Sequence, residues 1–142
     1  MITLSMVTGA PLDISAHLSA VADAAAGASA LFVGTVRDHD PDAEGEVVLL
    51  EYSAHPDATR ILEAIAGDLD QDGLRIAISH RTGSLGVGDA AIVCAVSSAH
   101  RSDAFEICRE LVERVKAELP VWKKQVEADG AAAWVGLGTL AR

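Results

Sequence analysis

The chain has 142 residues, of which 50% are hydrophobic and 23% are charged, and its formal net charge is -10 at pH 7. A chain of this length and composition can bury the core of one domain without cross-links. Its acidity argues against a duplex-binding surface, since affinity for nucleic acid comes largely from Lys and Arg side chains that neutralise phosphates. A local cationic pocket for a small anion remains compatible with it.

The first part of the sequence predicts a strand, a helix and a second strand. Residues 1–10 have the pattern of a short strand or arm, and residues 11–26 that of a helix that Asp13 caps and Gly27 ends. Residues 30–37 are rich in β-branched and aromatic side chains, which favours a strand. The start lacks the basic residues of a signal peptide, and no apolar run approaches the ~20 residues of a membrane span. We therefore expect a cytoplasmic protein without membrane contact.

Strands and turns alternate in the middle of the sequence. Residues 38–45 are polar and acidic, which predicts a mobile loop. Residues 47–52 predict a strand that pairs across this loop with the preceding strand as a hairpin. A helix is predicted from about Pro56 to Leu69, because apolar residues recur three and four positions apart. The following segments predict an alternating strand at residues 74–80, a glycine-rich connection at 81–89 and a central, strongly apolar strand at 90–97.

The longest predicted helix opens at Asp103, with Glu106 three residues later in the arrangement of a capping box. Pro120 ends it, because proline cannot donate the next helical hydrogen bond. Its buried stripe is expected to consist of Phe105, Cys108, Leu111, Val112, Val115 and Leu119. Two strands follow at residues 121–127 and 131–137. The order of elements predicts a single α+β domain over residues 1–142 with a mixed or antiparallel sheet.

Basic residues concentrate in one stretch of this acidic chain. Residues 94–125 hold six of the eleven basic residues, among them all three lysines. His100 and Arg101 stand between a strand and a helix. There the N–H groups of the first helical turn favour an anion, a guanidinium can grip phosphate, and an imidazole exchanges protons near neutrality. The alternative is that His100 caps the strand and Arg101 is solvated, and the local pattern does not decide between the two.

Lys116 lies at the border of the predicted buried stripe, between Val112 and Leu119. Its methylene stem can therefore pack while its amine emerges beside Lys123. An amine in partly apolar surroundings next to another cation loses proton affinity, which is how a lysine becomes an acid, base or nucleophile near pH 7. The alternative is an ordinary surface lysine, although the absence of lysine from the rest of the chain argues against random placement.

The remaining reactive residue types predict little further chemistry. Arg37 ends a strand beside the acidic loop, where it either pairs with Asp38 or Asp40 or serves an anion. Cys94 and Cys108 fall on a strand and on the apolar face of a helix, which predicts two reduced core thiols. The histidines lack metal-ligand spacing, and no serine sits in a nucleophile elbow, so we expect neither a metal site nor a cofactor.

Five short motifs follow one another along the chain. They are residues 32–37 (FVGTVR), 50–56 (LEYSAHP), 80–85 (HRTGSL) with Gly88 and Asp89, 97–101 (SSAHR) with Ala104 and Phe105, and Lys116 with residues 120–124 (PVWKK). Each motif alone is weak, but all five in register are specific. Together they resemble the large, catalytic subunit of the molybdopterin synthase family over about residues 28–135.

This resemblance implies an α/β-hammerhead domain that forms a homodimer, with a small ubiquitin-like sulfur-carrier subunit at each end to give a heterotetramer. The carrier's C-terminal Gly-Gly thiocarboxylate would enter a pocket of this chain. There it would deliver sulfur to cyclic pyranopterin monophosphate, and two transfers would build the dithiolene of molybdopterin in molybdenum cofactor biosynthesis. Sulfur would come from the carrier, which agrees with the absence of an activated cysteine here.

The resemblance also implies roles for individual residues. Lys116 is similar to the principal catalytic lysine and Lys123 to its partner, acting on the carbon centres or on the oxyanion formed as sulfur leaves the carrier. Gln125 stands where the family often has Glu, which puts an acid role there in doubt. The implied substrate-binding residues are Thr35, Val36, Arg37, His100, Arg101, Lys124 and Gln125.

Two other functions use the same cations without this chemistry: a non-catalytic anion- or nucleotide-binding regulatory α+β domain, and a scaffold for a ubiquitin-like partner. The length of the last helix adds a geometric expectation. A helix of about 16 residues is ~24 Å long. We therefore do not expect one chain to bring His100 and Arg101 to the same substrate as Lys116. We therefore expect the site to be completed across the homodimer.

Overall fold

A computed structural model of the chain describes residues 1–39, 45–128, 130 and 132–135. Within these ranges the chain forms eight strands and three helices. In chain order they are β1 (Ile2–Thr8), α1 (Ile14–Ala20), β2 (Ala28–Thr35), β3 (Val47–Ala54), α2 (Ala58–Leu69), β4 (Arg75–Arg81), β5 (Gly83–Gly86), β6 (Ala90–Ser98), α3 (Arg101–Glu118), β7 (Val121–Glu127) and β8 (Ala132–Val135). This arrangement confirms the predicted α+β class. No helix of the described ranges has the length and apolar character needed to cross a bilayer.

The strands form two sheets. The first sheet has the order β1-β4-β6-β2, in which β1 is parallel to β4 and the other pairs are antiparallel. The second sheet has the order β5-β3-β7-β8 and is antiparallel throughout. The strand predicted at residues 90–97 is β6, and it is central as expected, because it pairs with both β4 and β2.

Helices cover both faces of the first sheet. Because side chains alternate along a strand, Ile76 and Ile78 of β4 face the main core under α2 and α3, while Ala77 faces the opposite side. There Ala77 meets Val21, which directly follows α1. A second, smaller core joins the two sheets and consists of Val36, Val47, Leu50, Leu85 and Ala91, with Tyr52 packed against it. We call these residues the junction core.

The helix predicted at residues 11–26 is shorter than expected. Asp13 caps it as predicted, since its carboxylate accepts a hydrogen bond from the Ala16 N–H at 3.0 Å, but α1 ends at Ala20. Beyond it, Asp23 accepts a hydrogen bond from the Ala25 N–H and pairs with Arg75 at 3.3 Å. These contacts hold the chain in a turn, because a side chain that bonds nearby N–H groups competes with the helical pattern.

The predicted hairpin between the strands at residues 30–37 and 47–52 is wrong. β2 pairs along its whole length with β6, whereas β3 pairs with β5 and β7 in the other sheet. The buried residues of the two strands lie in different cores: Ala30 of β2 is in the main core, whereas Val47 and Leu50 of β3 are in the junction core. The middle of the predicted mobile loop, residues 40–44, lies outside the described residues.

The glycine-rich connection predicted at residues 81–89 contains a short strand, β5. Its Leu85 is fully buried opposite Leu50 of β3. A single apolar side chain among glycines does not form an alternating pattern, so the sequence did not indicate this strand. Gly83 enters β5 with a φ of +92°, a conformation that a side chain disfavours. The turn from β4 into β5 therefore depends on glycine.

The last helix begins two residues earlier than predicted and without the capping box. His100 is the N-cap residue and makes no side-chain capping bond, while Asp103 lies inside the first turn, where its charge favours the helix dipole. Phe105, predicted to be buried, is 65% exposed. The buried stripe runs instead through Ala104, Ile107, Cys108, Leu111, Val112 and Val115. It therefore starts with a small side chain, and the neighbouring aromatic ring points outward.

Candidate active site

A cavity of about 300 Å³ lies where the end of β2, the end of α3 and the inner face of the second sheet meet. Both sheets contribute to its wall, along with the segment that follows β2. Gly34 lies in this wall, and a Cβ there would come within 2.6 Å of Ile92 Cγ2. The polar side chains that line the cavity are Thr35, Arg37, His39, Tyr52, His80, Lys116, Lys123 and Gln125.

Lys116 reaches the cavity from the last turn of α3. Val115 precedes it and Leu119 follows it, and these two side chains are only 2% and 3% exposed. Both also line the cavity, so they anchor the end of the helix there. The Lys116 Nζ lies 6.0 Å from the centroid of the Phe32 ring, at the outer limit of a cation–π contact. The amine thus emerges beside apolar surface, as its position on the helix predicted.

β7 places Lys123 and Gln125 on the same wall. Alternate residues of a strand face the same side, and Val121, Lys123 and Gln125 all line the cavity. Gln125 is 4% exposed, so its amide forms part of the floor. Lys124 lies between them on the outer face of the sheet, with its Nζ 4.0 Å from a Glu51 carboxylate oxygen and 5.7 Å from the centroid of the Trp134 ring. The structure therefore brings Lys123 and Gln125 to Lys116 and turns Lys124 away.

The predicted residues around the end of β2 have different positions. Thr35 and Arg37 line the cavity. Val36 does not: its side chain belongs to the junction core, its N–H donates to the Asp89 carbonyl at 3.0 Å, and its carbonyl accepts from the Gly88 N–H at 2.7 Å. Its backbone groups are thus engaged within the fold. In the described residues Arg37 forms no ion pair with Asp38, and Asp40 lies outside them.

His100 and Arg101 are far from this cavity within one chain. Both are exposed at the start of α3, while Lys116 is near its end. The 15 residues from Arg101 to Lys116 span ~22 Å at 1.5 Å per helical residue. The separation expected from the sequence is therefore present.

Tyr52 and His80 line the cavity, although neither was assigned a role from the sequence. Both lie in motifs that carried the family resemblance, but their meeting depends on the pairing of distant strands. Their ring centroids are 5.2 Å apart in an edge-on arrangement. Burial raises the pKa of Tyr52 to about 12, so its phenol stays protonated and can donate a hydrogen bond. Burial also lowers the pKa of His80, and the charge of Lys116 lowers it further.

This arrangement is suited to binding anions. Arg37, Lys116 and Lys123 bring three cationic side chains to one cavity of a chain with net charge -10. The neutral phenol of Tyr52 and the amide of Gln125 add hydrogen-bonding groups at the same wall. Fixed donors in a partly enclosed cavity stabilise negative charge more strongly than water does, because they need no reorganisation. In the described ranges no cluster of His, Cys, Asp and Glu has the arrangement of a metal site.

The two cysteines lie in the main core, away from the cavity. Cys94 on β6 and Cys108 on α3 are free and buried, with their sulfur atoms 3.9 Å apart. Their hydrogen bond and their burial raise the pKa of Cys94 far above its ordinary value. The same hydrogen bond lowers the pKa of Cys108, but burial keeps both thiols from reagents in solution, as expected for core residues.

We expect the thiols of the native protein to react with an aromatic disulfide reagent at least about a thousandfold more slowly than those of the unfolded chain, because reaction requires opening of the core. Absorbance of the released thiolate measures both rates, with guanidinium-unfolded protein as the reference. Rapid labelling of either cysteine in the native protein would contradict the core assignment.

The chain is similar to known proteins in both sequence and fold. The model of the MoaE protein family matches residues 7–118. The chain is 41% identical over 133 residues to molybdopterin synthase catalytic subunit 1 of Mycobacterium tuberculosis, covering 92% of this chain and 88% of that protein. The crystal structure of molybdopterin synthase from Staphylococcus aureus matches with a TM-score of 0.84 and 31% identity, covering 96% of this chain and 98% of that one.

A further solved structure concerns the fold alone. It is a complex of subunits 1 and 2 of molybdopterin-converting factor from Helicobacter pylori, and one of its chains matches with a TM-score of 0.74 at 20% identity. The match covers 93% of this chain and 89% of that one. The same fold thus occurs in a protein that is assembled with a second subunit.

Proposed function

The chain belongs to the MoaE protein family, and we propose that it converts cyclic pyranopterin monophosphate to molybdopterin with sulfur from the thiocarboxylate of a small carrier subunit. It would thus act as the catalytic subunit of a molybdopterin synthase, a sulfurtransferase. The observation that carries this proposal is the meeting of Arg37, Lys116 and Lys123 at one cavity. Both reactants are anions, so bringing them together requires fixed positive charge in a shielded place.

The two lysines act at the reacting atoms. Lys116 comes from α3 and Lys123 from β7, so two different elements each bring one amine to the cavity. In each transfer the thiocarboxylate sulfur forms a bond to a carbon of the pterin side chain while a carbon–oxygen bond at that carbon breaks, and the displaced oxygen leaves with a proton or with the phosphate. Water then cleaves the sulfur–acyl bond, which leaves the sulfur on the pterin and a carboxylate on the carrier. Lys116 is the principal acid–base or nucleophilic group. Lys123 stabilises the oxyanion at the acyl carbon, and the Tyr52 phenol can donate to the same oxygen.

Arg37 and Thr35 bind the phosphate of the substrate. They follow one another closely at the end of β2, and both line the cavity. A guanidinium offers phosphate two parallel hydrogen bonds, and a hydroxyl adds a third. Gln125, where the family often has Glu, presents a neutral buried amide and so binds the pterin without acting as an acid.

Val36 and Lys124 contribute indirectly. Val36 fixes the end of β2 through its two backbone hydrogen bonds to residues 88 and 89. Lys124 pairs with Glu51 and packs near Trp134 on the outer face of the second sheet, which holds β7 in place. Both residues thereby orient neighbours that line the cavity.

The carrier is a small ubiquitin-like subunit whose C-terminal Gly-Gly enters the cavity. The two-subunit complex from Helicobacter pylori supports this part of the proposal at the level of the fold. Glycines suit a chain end that must enter a cavity, because they have no side chain to accommodate. The chain, as one domain over residues 1–142, binds one carrier per protomer.

Two protomers complete each site. His100 and Arg101 lie ~22 Å along α3 from Lys116, so they contribute to the cavity of the neighbouring chain rather than to their own. The exposed Phe105 lies one turn after Arg101 on α3 and offers apolar surface for the contact between protomers. The assembly is a homodimer with a carrier at each end, that is, a heterotetramer.

The direct test mixes the chain with a thiocarboxylated carrier and cyclic pyranopterin monophosphate and detects the dithiolene product by mass spectrometry. We expect product only when all three components are present. A carrier that ends in an ordinary carboxylate is the matched control, since it can bind but has no sulfur to transfer. A confirmed complex that forms no product would overturn the catalytic assignment.

A further inference from the structure

His80 occupies a fixed position in the cavity wall that the proposed chemistry does not yet use. It is near the end of β4 and lies opposite Ile92 of β6. Its ring meets the edge of Tyr52, with the centroids 5.2 Å apart. Its Nδ1 lies 2.8 Å from the Arg81 carbonyl oxygen. A ring held by two contacts has little freedom to turn, so the direction of its second nitrogen is set by the fold.

The hydrogen bond to Arg81 determines the tautomer. A carbonyl oxygen can only accept, so Nδ1 must carry the proton, and in the neutral ring Nε2 is then an acceptor. The Arg81 carbonyl thus engages Nδ1, and His80 itself lines the cavity. Nε2 is the remaining hydrogen-bonding atom of the ring and can accept from a donor of the cavity.

The charged surroundings keep this ring neutral. The other titratable side chains of the cavity wall are Tyr52 from β3, Lys116 from α3 and Lys123 from β7, with Arg37 and His39 on the segment that follows β2. The positive charge of Lys116 disfavours a positive imidazole, and the phenol of Tyr52 stays uncharged. Burial is the main cause of the lowered pKa of His80, and Lys116 adds to it. A neutral nitrogen acceptor thus stands among three cations.

We propose that His80 is a positioning residue for sulfur transfer: its Nε2 accepts a hydrogen bond from the Lys116 amine when substrate fills the cavity and displaces water. This inference rests on the proposed function. The methylene stem of Lys116 can adopt many rotamers, and a fixed acceptor selects those that aim the amine at the reacting carbon. The neutral acceptor also spreads the charge of the ammonium group, whereas a carboxylate in its place would neutralise that charge.

Low pH should disable this arrangement. Protonation converts Nε2 from an acceptor to a donor and places a positive charge beside Lys116. The turnover rate should therefore fall on the acid side. Because the pKa of His80 is lowered, the fall should lie below the ordinary histidine value of about 6.5.

Three variants test the proposal against the wild type, through kcat and KM between pH 5 and 8. His80→Gln retains an acceptor near Nε2 but does not titrate, and His80→Phe retains a ring but has no acceptor. His39→Gln is the matched control, since it removes the other histidine of the cavity wall. Loss of a hydrogen bond to a charged group predicts a kcat about 10- to 100-fold lower in His80→Phe, with KM changed by less than about threefold.

His80→Gln should recover most of the loss seen in His80→Phe and should lack the acid-side fall, whereas His39→Gln should keep that fall. A kcat of His80→Phe within about threefold of wild type, or an acid-side fall that persists in His80→Gln, would overturn the role of His80. The melting temperature of each variant identifies a loss of activity that comes from misfolding. If His80→Phe is misfolded, the pH profile of His80→Gln alone tests the role of His80.

A measurement without turnover separates this inference from the proposed function. In an NMR titration of the His80 ring, Lys116→Gln should raise the pKa of His80, because it removes a nearby positive charge. An unchanged pKa would show that Lys116 and His80 do not interact and would overturn the inference. A wild-type protein that forms no product would instead overturn the proposed function.

Discussion

Lys116→Ala is expected to lower the rate of sulfur transfer by about 10²- to 10⁴-fold, the range typical of removing a positioned acid–base group. The fold and the binding of the carrier should remain intact, because the Lys116 side chain is exposed at the cavity and its neighbours Val115 and Leu119 supply the buried contacts of this turn. Single-turnover formation of the dithiolene measures the rate, and size-exclusion chromatography with the carrier measures assembly.

Arg109→Ala is the matched control for this variant. Arg109 is an exposed cation on the same helix, two turns before Lys116, and it does not line the cavity. Arg109→Ala removes the same charge from the chain and should leave the rate of sulfur transfer near that of the wild type.

If Lys116→Ala weakened substrate binding but turnover persisted at saturation, a non-catalytic anion-binding role for this lysine would be favoured instead. Complex formation with no binding of the pterin would favour a scaffold.

Mixed dimers provide the second test with a large expected effect. Lys116→Ala and Arg101→Ala should each be nearly inactive as homodimers if both residues serve every site. In a mixed dimer, one of the two sites receives both substitutions and the other receives neither. With random exchange of protomers in a two-fold symmetric dimer, half of the dimers are mixed, so about a quarter of wild-type activity should return.

The same experiment distinguishes the alternative arrangement. If each cavity used His100 and Arg101 of its own chain, every site in the mixture would contain one of the two substitutions, and activity would stay at the level of the separate variants. Exchange of protomers is verified by native mass spectrometry with one variant isotopically labelled. Activity is then compared at equal protein concentration before and after mixing.

Local sequence patterns predicted those elements whose structure depends on neighbouring residues. The strand at residues 121–127 and the central strand at 90–97 were correct because apolar and turn-forming residues mark their ends. The position of Lys116 at the edge of a buried stripe was also correct, since helical spacing alone determines it. Lys123 and Gln125 reach the same cavity because they are two residues apart on a strand that follows directly.

Other features depended on contacts between distant residues. The hairpin was predicted from proximity in sequence, yet β2 pairs with β6 in the first sheet and β3 with β5 and β7 in the second. Phe105 was expected inside because it is large and apolar, but the packing of α3 against the first sheet admits Ala104 at that level instead. The contact between Tyr52 and His80 arises only once both sheets are assembled. No pattern within one segment contains that information.

The cavity belongs to neither sheet alone, and this has a mechanical consequence. Lys116 is attached through α3 to the first sheet, whereas Lys123 is part of the second, and the junction core sets the spacing between them. A ligand that contacts both lysines therefore links the two sheets at a further point, in addition to the junction core. A substitution in the junction core, for example of the buried Leu85, would shift one sheet relative to the other. It would thereby change the distance between the Lys116 and Lys123 amines without altering either lysine.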